Sequence, residues 1–134
     1  MSTTNIVKSV EPSFGAPFDI VLTLSKTKPL KENINTVPIT VHISTEPNAD
    51  LGCYVYSIVD TRTPSENPQI YQTLLNNASE TLVDLGKRLG QLVSKKYLVP
   101  SYVSLSGQVS MQDFMGLIQE TFALIEENWK INND

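Results

Sequence analysis

Apolar positions in this chain change their period along its length, and the change predicts its elements. From Phe18 the residues alternate, with Phe18, Ile20, Leu22 and Leu24 on one side and Asp19, Val21, Thr23 and Ser25 on the other. That is the two-residue period of a half-buried strand. Val37, Ile39, Val41 and Ile43 repeat it against Pro38, Thr40, His42 and Ser44, and Pro38 suits a strand start or an edge. Two such strands in succession predict an antiparallel meander. After a turn at residues 46–50, the stretch 51–60 is apolar on both sides, with Cys53, Val55 and Val59 on one and Tyr54, Tyr56 and Ile58 on the other. A strand with that pattern is expected to be covered on both faces. Residues 5–10 read as a short edge strand, 25–36 as a solvated connection and 61–68 as a loop. Residues 69–75 fit either a strand or an irregular lead-in to a helix, because so short a piece has no decisive period.

The rhythm then turns helical. Leu82, Leu85, Leu89 and Leu92 follow one another at spacings of three, four and three, which places them on one stripe, while Asp84, Lys87, Arg88, Gln91 and Lys95 can face water. Asn77 with Glu80 three residues later predicts a capping box at the start. After Lys96, residues 97–105 are rich in β-branched and aromatic side chains and read as a tight connection followed by a strand that includes residues 99–105. A second helix starts where Ser110 and Asp113 form an acidic capping box and Val109 and Phe114 stand at the positions of a hydrophobic staple. Its apolar face is Phe114, Leu117, Ile118, Phe122, Leu124, Ile125 and Trp129. It is expected to end near Trp129, leaving residues 131–134 as a frayed polar tail.

Several strands, a helix, a strand and a helix make an α+β fold of two layers, a mainly antiparallel sheet with two helices packed on one face. Two helices, each ~10 Å wide, cover about four strands at ~4.8 Å spacing, and only on their own side. The other face then needs a cover. Val21, Tyr54, Tyr56 and Ile58, joined by Tyr102, form a patch of the kind enriched at protein interfaces. The expected cover is the sheet of a second chain, either a partner or another copy. The competing expectation is that the amino-terminal segment or a loop folds over the patch.

Composition narrows the classes. The 134 residues, 40% hydrophobic and 18% charged, are enough for one domain with a real core and argue against disorder. A single domain over 1–134 is expected, since no repeat or boundary interrupts the chain. No run approaches the ~20 apolar residues of a membrane span, and the first twelve residues lack the pattern of a secretory signal. The single Cys53 forms no internal disulfide, so the cytosol or nucleus is the expected setting. A net charge of -4 without a basic cluster disfavours nucleic acid as a partner.

Candidate chemistry is sparse. His42 is the only histidine and Cys53 the only cysteine, and alternation sets them in different environments, an imidazole on a polar side and a thiol in the core. One His and one Cys do not assemble a zinc site of the usual kind, and no phosphate or dinucleotide loop occurs, so no metal or cofactor is expected. Gly86 and Gly90, each costing ~1 kcal/mol in a helix interior, are expected where the helix approaches the sheet closely. Asn77-Ala78-Ser79 matches a glycosylation sequon but serves better as a cap, and Lys26, Lys28 and Lys31 read as solvating charges.

Thr73-Leu74-Leu75, then Ser79 and Thr81, then Leu85-Gly86-Lys87-Arg88-Leu89-Gly90 and Val99-Pro100-Ser101-Tyr102-Val103-Ser104-Leu105 resemble the carboxy-terminal half of the proteasome assembly chaperone 4 family. There a Leu-small-x-Arg-Leu-small helix leads into a Val/Ser/Tyr-rich strand and a final helix. The resemblance implies a non-enzymatic chaperone that pairs with a related chaperone 3 subunit through a sheet sandwich. It further implies that the pair helps build the proteasome α-ring by contacting α subunits, alpha-type 5 among them. Pro100 inside the expected strand departs from a regular ladder. The alternatives are a small dimeric adaptor of roadblock-like or profilin-like type, or a small enzyme whose site spans a dimer.

Overall fold

A computed structural model describes residues 3–12, 16–25, 37–60 and 68–132. The elements are β1 (Thr3–Val10), β2 (Phe18–Ser25), β3 (Ile39–Ser44), β4 (Leu51–Val59), β5 (Ile70–Asn76), α1 (Glu80–Tyr97), β6 (Ser101–Ser106) and α2 (Met111–Asn132). They form an α+β fold with one six-stranded sheet, ordered β1-β2-β3-β6-β4-β5, and two helices. The expected connection at 25–36 and loop at 61–68 lie outside the described residues except for Ser25 and Pro68.

The meander is real over β1, β2 and β3, which pair antiparallel. It stops there. β6 inserts between β3 and β4, parallel to β3 and antiparallel to β4, and β5 pairs antiparallel with the far edge of β4. β5, α1 and β6 therefore make a crossover that carries the helix over β4, the intervening strand. The sheet is two strands wider than the four estimated from helix width. Its outer strands explain the difference, because β1 apart from Val10, and all of β5, consist of exposed and half-buried residues and need little cover.

The core lies between the sheet and the helices. Ile20, Leu22, Ile39, Val41, Ile43, Val55, Val103 and Leu105 are fully buried from the strands, and Leu89, Val93, Leu117 and Ile125 meet them from the helices. Each such aliphatic side chain contributes about 1.5–3 kcal/mol through burial. α2 lies over the β1–β2 side, where Trp129 Nε1 donates to the Ser25 carbonyl (3.3 Å) and Lys8 Nζ meets Glu120 Oε2 (3.2 Å).

α1 sits close on β4 for the reason the glycines suggested. A Cβ at Gly86 would stand 2.7 Å from Cys53 Sγ, and one at Gly90 would stand 2.7 Å from Ser57 Oγ, both too near without rearrangement. Hydrogen bonds line the same seam: Ser101 Oγ donates to the Gly90 carbonyl (3.2 Å) and lies 2.9 Å from Ser94 Oγ. Gln72 Nε2 donates to Ser57 Oγ (3.0 Å) and to the Lys87 carbonyl (2.7 Å).

Four local expectations need correction. The α1 cap is Ser79, whose Oγ accepts from Leu82 N (3.4 Å), while Asn77 lies outside the helix and exposed. Leu92 leaves the buried stripe at 38% exposure, and Val93 and Tyr97 continue it, because 3.6 residues per turn carries the stripe past Leu92. The helix runs on through Tyr97, with Leu98 its left-handed cap (φ 56°) and the Leu98 N–H on the Ser94 carbonyl, so the next strand starts at Ser101 rather than at Val99. Pro100 consequently precedes β6 and interrupts no ladder. Last, α2 continues past Trp129 to Asn132. Its start is as expected, with Asp113 N donating to Ser110 Oγ (3.1 Å) and both Val109 and Phe114 buried.

Candidate interface on the open sheet face

Strand pairing sets the second face of the sheet in rows. One runs Asn5–Thr23–Thr40–Tyr102–Tyr56–Thr73 and the next Val7–Val21–His42–Ser104–Tyr54. Ile58 stands opposite Tyr71 beyond the first row. No described element of this chain lies over these residues, and both helices occupy the opposite face.

The three tyrosines singled out from the sequence come together. The Tyr56 and Tyr102 rings stack with centroids 4.6 Å apart, and Tyr54 is tilted against Tyr102 at 6.1 Å. Burial first, and then the neighbouring Tyr102, hold the Tyr56 phenol above its ordinary range, so all that this hydroxyl offers near neutral pH is hydrogen bonding. Ile58 borders the cluster at 37% exposure. Val21 does not touch it: it shares the row of Tyr54 but stands beyond His42 and Ser104.

Two apolar members of the face escaped the sequence reading. Val7, 70% exposed, extends it onto β1, and Tyr71, 48% exposed, extends it onto β5. Alternation along residues 70–76 would have found Tyr71 had that stretch been assigned as a strand. Among the described strand residues that face this side, Asp19 is the only formally charged one. Aromatic over β4, β5 and β6, hydroxyl-rich over β1, β2 and β3, and nearly free of formal charge, the surface shares its aromatic content and its lack of charge with interface centres.

His42 and Cys53 do not form a catalytic pair, because the sheet separates them. His42 lies on the open face, where its Nδ1 is 2.7 Å from Ser104 Oγ. Cys53 points under α1, fully buried, and burial pushes its thiol up to about 11, which suppresses the nucleophilic thiolate. A cavity of about 630 Å³ opens near the starts of both helices, but the hydroxyls of Ser79 and Ser110 in its wall are engaged as helix caps.

Similarity to known proteins agrees with this fold. A solved chain from a crystal structure described as a novel chaperone complex for yeast 20S proteasome assembly superposes with a TM-score of 0.77, covering 96% of this chain and 99% of that one. Their sequences are 18% identical, so the likeness is one of fold. Among curated proteins no sequence matches. The model of the family described as 20S proteasome chaperone assembly proteins 3 and 4 matches residues 1–127. With nearly the whole chain matched, this protein belongs to the family of 20S proteasome chaperone assembly proteins 3 and 4.

Proposed function

We propose that this chain is the chaperone 4-type member of a heterodimer, a non-enzymatic assembly factor whose open sheet face pairs with the sheet of a related chaperone 3 subunit. The pair promotes formation of the 20S proteasome α-ring by binding α subunits, with alpha-type 5 the first to test, and it works in the cytosol and nucleus. One observation carries the pairing: a sheet face built around stacked Tyr56 and Tyr102, nearly free of charge, with no described element of its own chain over it. The family match supports the assembly role, and the fold is shared with a chain from a chaperone complex. Val21, Tyr54, Tyr56, Ile58 and Tyr102 are the assigned pairing residues, with Val7 and Tyr71 at the margins.

Affinity capture from an extract of the source cells tests this reading. Recovery of one second small chaperone together with free α subunits, and without mature 20S particles, is the expected result. Recovery of a GTPase regulator or of actin in their place would favour an adaptor and overturn it.

A further inference from the structure

His42 stands in the middle of the pairing face, flanked in its row by Val21 and Ser104 and, one step along, by Asp19 and Thr23 on β2 and Tyr102 and Ser106 on β6. Asp19 is the only charge in that set. The imidazole is already half-buried and bound through Nδ1 to Ser104 Oγ at 2.7 Å, and Nε2 has no partner among the described residues. A sheet closing over this face would remove Nε2 from water, and a buried polar atom left unmatched is costly. Resting on the sheet-pairing reading, we propose that the His42–Ser104 pair is the polar centre about which the two sheets register, and that the partner meets His42 with an uncharged hydrogen-bonding side chain.

Registration follows from the asymmetry of the cost. Any register that moves the partner's hydrogen-bonding group away from Nε2 strands that atom, whereas aromatic faces accept sliding contacts, so His42 discriminates registers that the aromatic cluster tolerates. An uncharged counterpart follows from the surroundings, since burial lowers the imidazole's proton affinity and no carboxylate adjoins it in its row. The paired state therefore excludes the imidazolium. As pH falls, dissociation takes up one proton and the pairing weakens by at most about tenfold per pH unit.

The test measures the dissociation constant of this chain with the related chaperone encoded in the same genome, co-expressed and purified, at pH 7.5, 6.5 and 5.5. Wild type should weaken steadily over that range, by less than about tenfold in all, the limit that one-proton linkage sets for an imidazole held below its ordinary value. His42→Asn should lose the slope whatever its affinity, and Asp19→Asn should keep it. His42→Arg should pair more than about a hundredfold more weakly at pH 7.5 while circular dichroism shows it folded, because it buries a permanent charge. A pH-independent wild type, tightening in acid, a slope retained by His42→Asn, or tight pairing by His42→Arg overturns the inference and leaves sheet pairing standing. Failure of the wild-type chains to pair at pH 7.5 overturns both.

Discussion

Gly90 shows how a single side chain, or its absence, positions a helix. In an exposed helix Gly→Ala would stabilise by ~1 kcal/mol, but here the new methyl would stand 2.7 Å from the buried Ser57 Oγ, which Gln72 holds in place. Overpacking should win, and Gly90→Ala should lower unfolding stability by about 1–3 kcal/mol in denaturant titration. Adding Ser57→Gly should recover part of the loss; equal loss in the double variant would mean the helix is spaced by something else. Cys53 yields a second expectation. Its thiol is held up to about 11, so between an ordinary thiol value and pH 11 the unfolded chain releases a proton that the folded chain keeps. The unfolded state then binds fewer protons, and stability must fall as pH rises through that window, by a contribution on the order of 2 kcal/mol. Cys53→Ala should flatten the part of the alkaline decline that belongs to this group; an unchanged pH curve would sink the assignment. Tyr97 adds in the same direction, its phenol raised by burial and then by its hydrogen bond to Glu126 (2.8 Å).

At the scale of elements, α1 separates what local pattern can specify from what it cannot. Both Asn77 and Ser79 are good capping residues, and the Asn77–Glu80 spacing fits a capping box. Ser79 is the cap because the chain leaves β5 and is tied by Ser79 N to the Gly52 carbonyl (2.8 Å), so the helix starts only after that contact. Asn76 meanwhile caps the connection by accepting from Ala78 N (3.0 Å). Ser79→Ala should therefore cost about 1 kcal/mol and Asn77→Ala a few tenths at most. Equal costs in thermal unfolding would restore the Asn77 cap. The strands follow the same division. β2, β3 and β4 were readable because each buries one clean face, whereas β5 was ambiguous because an edge strand has little burial to enforce alternation.

For the whole molecule the open face is the feature with consequences. Tyr56→Asp places a carboxylate against Tyr102 without disturbing the helix-side core. The variant should remain folded by circular dichroism yet lose pairing by several kcal/mol, read as loss of co-purification with the partner. Retained pairing would place the interface elsewhere. The sequence alone determined which side chains share a face, because the two-residue and 3.6-residue periods are local geometry imposed by the backbone. It thereby placed Tyr54, Tyr56, Ile58, Tyr102 and Val21 opposite the helices and put the two glycines against the sheet. Tertiary structure alone decided that β6 lies between β3 and β4, that β5 is a strand, and that Val7 and His42 stand in one row with Tyr54. Those facts depend on which strands pair across long stretches of chain. Strand order is selected by joint burial beneath two helices and by the β5–α1–β6 crossover, and no local period encodes either.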